Sequence, residues 1–329
     1  MPKAPAFWSA GQNSAAAAIW PMLLSPFATL YGIANRFNRA AARPQEIAVP
    51  VISIGNLVAG GAGKTPSTIA LAQRLRAAGW QPGIVSRGYG GSAAGPLQVD
   101  PQQHDAAQVG DEALLLAQAT PTWIGRDRPA AARAAARAGC DLVLADDAHQ
   151  TYVLARDLNI LVVDGAQGFG NGMLLPAGPL REGIREGLAR SDAIILIGRP
   201  QSRVDLGDLP VFTANLLPQP EDAAALRGER VLAFAGIGRP EKFFATLSEL
   251  GAEIVARHSF PDHAPYAPDT IMRLVEQAVA LKAVPVTTAK DALRLPAEAR
   301  AMVRVLRVAL AFEAPEALDA FLAERLNHA

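Results

Sequence analysis

The chain has 329 residues, a length typical of about two domains at ~150 residues each. Its 31 lysines and arginines balance 31 aspartates and glutamates, so it lacks the positive excess with which nucleic-acid binders neutralise phosphates, and we expect no nucleic-acid partner. An apolar content of 50% excludes a disordered chain, and the one cysteine, Cys140, excludes an intramolecular disulfide and a cysteine-based zinc site.

The N-terminal segment, residues 1–45, is apolar and carries no acidic or basic side chain between Lys3 and Arg36. It is long enough to suggest a membrane span, but Pro21 and Pro26 each remove a helix hydrogen bond that lipid cannot replace. Aromatic residues that favour the headgroup layer and arginines at helical spacing complete the pattern: Trp8, Trp20, Phe27, Tyr31, Arg36, Arg39 and Arg43. We interpret the segment as a membrane-interfacial helix, with a helix packed on the protein's own core and a true span as the alternatives.

Short apolar runs alternate with helical runs from residue 46 to residue 205. The predicted strands are 51–54, 83–86, 122–124, 141–145, 159–164 and 193–198. This pattern is typical of a mostly parallel sheet covered by helices on both faces, as in P-loop NTPases. Residues 206–228 predict a joint, and residues 229–329 a second, smaller α/β domain that contributes to the active-site cleft.

A phosphate-binding loop is predicted within VISIGNLVAGGAGKTPSTIALA, where a buried strand runs into glycines and then a helix. Backbone N–H groups of such a loop and of the helix N-terminus bind phosphate oxygens. Lys64 would reach the β- and γ-phosphates and the Thr65 hydroxyl would bind Mg²⁺, although Val58 stands where the usual pattern has its first glycine. The predicted nucleotide-binding residues are Val58, Ala59, Gly60, Gly61, Ala62, Gly63, Lys64 and Thr65. The alternative is a glycine-rich turn that binds nothing.

Two adjacent carboxylates, Asp146 and Asp147, end the apolar run DLVLADD. Ligands bind at the carboxyl ends of strands in open α/β sheets, and a P-loop requires a carboxylate there to hold Mg²⁺ directly or through water. The pair therefore predicts the Mg²⁺ site, with a simple strand-end turn as the alternative.

Several segments in matching order resemble the tetraacyldisaccharide 4′-kinase family of lipid A biosynthesis. They are GNLVAGGAGKTP, SRGYGG, VGDEALLLA, DDAHQTYVLARDLNILVVD, GFGNGMLLPAGPLREG, FAGIGRPEKFF, FPDHAPY and TTAKDALRL. The resemblance implies transfer of the ATP γ-phosphate to the 4′-hydroxyl of an acylated glucosamine disaccharide 1-phosphate, which forms lipid IVA. It also implies peripheral or monotopic attachment to the cytoplasmic face of the inner membrane.

The same resemblance assigns roles to individual side chains. Asp111 is the candidate base, with His263 pairing to it as an imidazolium from the second domain; the alternatives are a helix N-cap and a loop histidine. In LLPAGPLREG, Arg181 would clamp phosphate. Glu182 would bind Mg²⁺ together with Thr65, Asp146 and Asp147. The alternative is that Arg181 and Glu182 form a surface ion pair. His149 is expected to contact the substrate, and the alternative is a structural histidine. Glu112 is also expected to contact the substrate, and the alternative is an acidic residue in the first turn of a helix. Lys290, in TTAKD, is a further candidate site residue, and the alternative is that the segment from Thr288 to Asp291 is only a capping box.

Three residues depart from the family pattern. Ala148 replaces a glycine, which is harmless if its φ is negative and costly if it is positive. Ala289 replaces a glutamate in TTEKD, and Ala264 replaces the second histidine of FxDHHxY. The motifs that would do the chemistry are retained.

Two other function classes remain open. A P-loop ATPase or GTPase switch of the metal-chaperone type requires neither LLPAGPLRE nor FPDH, and the chain has no guanine-specific NKxD motif. A membrane-bound nucleotide sensor would bind ATP without turnover. The sequence favours the kinase.

Overall fold

The computed structural model describes residues 5–9, 15–201 and 204–326. The ends of the predicted N-terminal and C-terminal segments, residues 1–4 and 327–329, lie outside this range, as do residues 10–14 and 202–203. The strands are β1 (Val51–Gly55), β2 (Pro82–Ser86), β3 (Leu97–Gln98), β4 (Thr122–Ile124), β5 (Leu142–Asp146), β6 (Leu158–Asp164), β7 (Ala193–Ile197), β8 (Val211–Pro218), β9 (Arg230–Ala235), β10 (Glu253–Ser259), β11 (Val284–Thr288), β12 (Arg304–Leu306) and β13 (Val308–Phe312). The helices are α1 (Ala15–Ala41), α2 (Lys64–Ala77), α3 (Ala106–Val109), α4 (Asp111–Ala117), α5 (Arg128–Arg137), α6 (Ile184–Leu188), α7 (Pro220–Leu226), α8 (Pro240–Glu249), α9 (Pro268–Ala280), α10 (Ala289–Ala292), α11 (Ala297–Arg300) and α12 (Pro315–Leu326).

A nine-stranded sheet has the order β13-β8-β7-β6-β1-β5-β2-β4-β3. The strands from β8 to β4 pair in parallel, and only the edge pairs β8–β13 and β3–β4 are antiparallel. The central strands are buried along their whole length, which explains why they are continuous apolar runs instead of alternating ones. The mixed α/β fold with a parallel sheet, expected from the sequence, is confirmed.

A second sheet of four parallel strands, in the order β10-β9-β11-β12, carries its own core on each face. Phe243, Phe244 and Leu247 of α8 cover one face, and Ile271 and Leu274 of α9 cover the other. This is the smaller α/β unit expected after the joint.

The second sheet begins with β9 at Arg230, next to the predicted start at residue 229, but the predicted joint and the C-terminal bound differ from the structure. Residues 206–228, expected as a joint, contain β8, a strand of the large sheet. Strands β12 and β13 are separated by Arg307, whose backbone N–H and guanidinium both donate to Asp222. Beyond Arg307 the chain returns to the large sheet as β13, and Leu318 and Leu322 of α12 pack in its core. The half-exposed β8 and β13 lack the apolar continuity that identified the inner strands.

Helix α1 continues through both prolines, which were expected to interrupt it. Pro26 has no N–H for the carbonyl of Met22, and the hydroxyl of Ser25 donates to that carbonyl instead, at 2.9 Å. No helix among the described residues is both long enough and apolar enough to cross a membrane.

One side of α1 lies against the protein. Ala28 is buried, Gly32 lies close against Leu174, Asn35 Nδ2 donates to the carbonyl of Arg181 at 2.6 Å, and Arg36 pairs with Glu186 at 3.0 Å. The opposite side is an apolar stripe of exposed residues recurring at helical spacing: Ile19, Trp20, Met22, Leu23, Phe27, Leu30, Ile33 and Phe37. We call this set the α1 stripe.

Candidate active site

A cleft of about 1750 Å³ opens between the carboxyl ends of the large sheet and the second α/β unit. The large sheet contributes the loop after β1, the end of β5 and the start of α4. The second unit contributes the loops after β9, β10 and β11. The cleft is therefore where the strand ends of an α/β sheet are expected to bind a ligand.

The glycine loop after β1 forms one wall of this cleft. Gly60 and Gly63 adopt positive φ of 115° and 89°, conformations that favour glycine, and Gly63 is the N-cap of α2. A Cβ on Gly60 or Gly61 would meet nothing within 4 Å, so open space lies beside their backbone. The helix begins at Lys64, and its N-terminal N–H groups therefore face the cleft.

The first part of the loop does not face the cleft as predicted. Val58 is buried in the core and bridges to Leu180, and the N–H of Ala59 donates to the carbonyl of Pro179 at 2.7 Å. Neither residue lines the cleft, because this stretch pairs with the LLPAGPLRE loop. Gly60, Gly61, Ala62, Gly63, Lys64 and Thr65 do line it, although the Ala62 side chain is buried.

Lys64 extends toward the predicted carboxylates. Its Nζ lies 3.7 Å from Oδ1 of Asp147 and 3.4 Å from Oδ1 of Asn56. Thr65 lies beside it on the first turn of α2 and lines the same cleft. The strand–loop–helix order thus brings the lysine, the hydroxyl and the carboxylate pair to one place.

The pKa values of the two adjacent aspartates are shifted in opposite directions. Asp146 is buried and accepts a hydrogen bond from Thr68 at 2.8 Å; burial, followed by repulsion from Glu112 and Asp147, raises its pKa to about 7. Burial also acts to raise the pKa of Asp147, but the charges of Lys64, Arg181 and Arg128 outweigh it and lower the pKa to about 2. Asp147 is consequently the ionised member of the pair at the cleft.

Asp147 adopts a φ of +47°, and the next residue, Ala148, does not have a positive φ. Ala148 is fully buried, and its N–H donates to the carbonyl of Ile54 at 3.1 Å. The exchange of glycine for alanine at position 148 therefore introduces no left-handed strain. Ala289 begins α10 and lines the cleft.

Arg181 holds Asp147 in place. Its Nη1 donates to Oδ1 and Oδ2 of Asp147 at 3.0 and 3.2 Å and lies 3.4 Å from Oε1 of Gln150. The arginine was predicted as a phosphate clamp, and the structure places it between the cleft and a buried polar network.

Glu182 and His149 belong to that buried network and do not line the cleft, contrary to expectation. Glu182 accepts from Arg190 at 2.6 Å and from Gln150 at 2.8 Å, so both of its oxygens already have donors. His149 is fully buried, and burial followed by the charges of Arg190 and Arg156 lowers its pKa to about 3. The substrate role of His149 and the metal role of Glu182 therefore have no structural support.

No group of three or more histidine, cysteine or acidic side chains within the described residues is arranged to hold a metal by itself. A magnesium ion bound with a nucleotide needs only one or two side-chain ligands, because phosphate oxygens and water supply the rest. Thr65, Asp146 and Asp147 remain the residues that meet this requirement.

The structure brings Asp111 and His263 into contact across the two units. Nδ1 of His263 lies 3.1 Å from each carboxylate oxygen of Asp111, and Nε of Arg294 lies 3.2 Å from Oδ2. Burial alone would raise the pKa of Asp111, but the hydrogen bond from His263 and the charges of Lys290 and Arg294 hold it below the usual value. Gly110, not Asp111, is the N-cap of α4, so the capping alternative for Asp111 is wrong.

The two members of this pair differ in position. His263 lines the cleft, whereas Asp111 is 3% exposed and lies behind the imidazole. Nε2 of His263 is 3.1 Å from Nζ of Lys290, which also donates to Oε1 of Glu112 at 3.0 Å. An ammonium can only donate, so Nε2 accepts and the ring proton is on Nδ1. Lys290 therefore places a second cationic group beside the ring of His263, and Oδ1 of Asp262 lies 3.8 Å from the same Nε2.

Three contacts between the units were missed from the sequence. Asp164, at the end of β6, accepts hydrogen bonds from Arg239, at 2.6 Å, and from Lys242. These two contacts connect the large sheet to α8. Asp164 is a carboxylate ending a buried strand, the same signal that identified Asp146. The contact of Arg294 with Asp111 has no comparable signal, because the two residues are far apart in the chain.

Comparisons with known proteins show the family to which this chain is similar. The family model described as tetraacyldisaccharide-1-P 4′-kinase matches residues 20–327. A tetraacyldisaccharide 4′-kinase of Rhodospirillum centenum is 53% identical over 99% of this chain and 97% of its own length. One of Paramagnetospirillum magneticum is 50% identical over 96% of each.

A solved structure shares the fold. The crystal structure of LpxK from Aquifex aeolicus in complex with ATP superposes with a TM-score of 0.73 at 28% sequence identity, covering 93% of this chain and 99% of its own. The family model covers most of the chain and the relatives are about half identical over nearly their full length, so the chain belongs to the tetraacyldisaccharide 4′-kinase family.

Proposed function

We propose that this protein transfers the γ-phosphate of ATP to the 4′-hydroxyl of a tetraacylated glucosamine disaccharide 1-phosphate, forming lipid IVA. The observation that carries the proposal is that Lys64 and Asp147 share one cleft with His263, which comes from the second unit and is contacted from behind by Asp111. A donor site and a group able to take a hydroxyl proton on one cleft are what phosphoryl transfer to an alcohol requires.

The residues present fit ATP and Mg²⁺. The open space beside Gly60 and Gly61 and the N-terminus of α2 suit the triphosphate, and Lys64 suits its β- and γ-oxygens. Thr65 and the Asp146–Asp147 pair would hold the ion. Mg²⁺, when bound, neutralises charge on the phosphates. Arg181 keeps Asp147 oriented and ionised through its paired contacts.

The Asp111–His263 pair would take the proton of the acceptor hydroxyl. In that step the 4′-oxygen forms a bond to the γ-phosphorus, the bond from that phosphorus to the bridging oxygen of ADP breaks, and the proton passes to the pair. His263 lies on the cleft side and Asp111 orients it from behind, so we treat the two as one base. Glu112, beside Lys290 in the cleft, is placed to contact the sugar.

The α1 stripe would rest on the membrane that carries the lipid acceptor. Phe27, Leu30 and Phe37 are at least 60% exposed, while the opposite side of the helix packs on the protein. Arg39 and Arg43 follow the stripe in the sequence and suit anionic headgroups at the cytoplasmic face of the inner membrane. The enzyme would be peripheral or monotopic there, and the cleft would open toward the lipid surface.

The alternative of a switch ATPase is not favoured, because family membership covers almost the whole chain and the cleft holds an additional pair suited to an acceptor alcohol. The test is phosphate transfer from γ-labelled ATP to the tetraacyl disaccharide 1-phosphate in detergent with Mg²⁺. Label on the distal sugar supports the proposal. ATP hydrolysis without labelled lipid, equal with and without acceptor, refutes it in favour of the switch.

A further inference from the structure

A lysine outside the Asp111–His263 pair contacts the ring of His263. Nζ of Lys290 is 3.1 Å from Nε2 of His263 and 3.0 Å from Oε1 of Glu112, and the Lys290 side chain is 19% exposed. Thr288, the N-cap of α10, fixes the backbone at Lys290 by accepting from the N–H of Asp291 at 3.1 Å. The lysine therefore reaches His263 from a rigid turn.

We propose that Lys290 is a positioning residue that keeps Nε2 of His263 unprotonated, with the ring proton on Nδ1 directed at Asp111. This inference rests on the proposed kinase function for its kinetic consequence, although the tautomer itself does not depend on it. When the acceptor hydroxyl arrives, it takes the place of the ammonium at Nε2, and Lys290 is retained by Glu112 and by Asp262, 3.7 Å away.

The charges around the ring support this assignment. The groups that face the pair are Glu112 beside Asp111 on α4, Asp262 on the loop after β10, Lys290 on α10 and Arg294 just after it, with the ring of Tyr89 at 5.5 Å from that of His263. Burial acts to lower the pKa of Lys290, but Glu112, Asp111 and Asp262 outweigh it and raise the pKa, so the ammonium is charged at neutral pH. A positive charge in contact with Nε2 disfavours a second proton on the ring.

Removal of the lysine charge therefore has a specific consequence. Without it, Nε2 takes up a proton at a higher pH, so the acidic limb of the kcat/KM profile moves upward. Nearby charges at this distance shift ionisation by about one pH unit or more. On the acidic side of the profile a shift of one unit corresponds to a loss of about tenfold. A residue that only supported the fold would lower activity equally at all pH values.

The experiment compares pH profiles of lipid phosphorylation for Lys290→Met, Lys290→Arg and the surface control Lys282→Met. We expect an upward shift of the acidic limb in Lys290→Met, recovery of most of the shift in Lys290→Arg, and an unchanged profile in Lys282→Met. An acidic limb at the same pH in Lys290→Met as in the wild type overturns the proposal, whatever the loss of rate.

A second measurement is independent of the kinase reaction. Nitrogen-15 spectra of the full chain labelled at histidine, with His263 assigned by His263→Gln, report which ring nitrogen carries the proton. We expect Nδ1 protonated and Nε2 bare in the wild type at neutral pH. A protonated Nε2 in the wild type overturns the inference even if lipid phosphorylation is found. A bare Nε2 without lipid phosphorylation overturns the proposed function and leaves the tautomer assignment in place.

Discussion

Replacement of Asp111 by asparagine removes one negative charge at almost constant volume. The carboxylate accepts from the N–H of Glu112 at 2.8 Å, lies 3.1 Å from Nδ1 of His263 and 3.2 Å from Nε of Arg294. All three partners are donors, so the amide NH₂ of asparagine must face one of them. The variant therefore loses both the charge that orients His263 and one of the three contacts.

We expect kcat to fall at least ~100-fold, the scale on which general-base catalysis contributes, which corresponds to about 2.7 kcal/mol of transition-state stabilisation. ATP affinity should be unchanged, because Asp111 does not line the cleft. The assay is initial-rate phosphorylation of the lipid acceptor at varied ATP, together with equilibrium ATP binding and thermal unfolding.

The matched control is Asp105→Asn. Asp105 is the N-cap of the adjacent helix α3, accepting from the N–H of Gln108 at 2.8 Å, and asparagine serves equally well as an N-cap. This control should keep wild-type turnover. If Asp111→Asn also keeps turnover within about threefold of the wild type, the assignment of Asp111 to the base is wrong.

Three further predictions concern the donor site, the buried histidine and the membrane contact. Lys64→Ala should abolish detectable lipid phosphorylation while the chain remains folded, because Nζ is placed for the γ-phosphate beside Asp147; normal turnover would refute the P-loop assignment. His149→Leu should make the free energy of unfolding depend less on pH in the acidic range. The pKa of His149 falls from 6.5 in the unfolded chain to about 3 in the folded one, so its contribution is complete above pH ~6.5 and is lost as the pH falls toward 3. The slope of unfolding free energy against pH between 6 and 4 should decrease by up to about 1.4 kcal/mol per pH unit, measured by urea unfolding, and an unchanged slope would contradict the buried neutral state. Phe27→Glu combined with Leu30→Glu should weaken sedimentation with anionic vesicles relative to Val279→Glu, an equally exposed apolar position on the second unit; equal sedimentation of the two variants would exclude the α1 stripe as the contact.

The inner strands and the glycine loop could be predicted from local sequence. The strands β1, β5, β6 and β7 are continuous apolar runs because each is covered on both faces. Phosphate binding requires a particular backbone geometry between a strand and a helix. This requirement made it possible to identify the glycines, Lys64 and the strand-end pair Asp146–Asp147 from the sequence. The effect of alanine at position 148 could not be predicted, because the sequence does not give the φ of that residue. In the structure the positive φ is at Asp147 instead.

The errors concern residues whose role depends on distant parts of the chain. Glu182 and His149 stand in motifs with catalytic residues, yet Arg190 and Gln150 hold Glu182, and the packing of His149 behind the loop after β1 removes it from the cleft. Residues 206–228 gave no strand signal because β8 pairs at the sheet edge with β13, almost a hundred positions later. Strand pairing over such a separation leaves no local pattern.

The inner strands of the large sheet, the glycine-rich strand–loop–helix motif and the family could all be predicted from the sequence, because each depends on residues close together in the chain or on motifs in series. Which charged side chains meet depends on how the two units pack. The packing places Asp111 behind His263, Lys290 on the far ring nitrogen and Arg294 on the carboxylate, from three segments of the chain. Electrostatic interactions depend on distances of a few ångströms between side chains, and these distances exist only after the two sheets have come together.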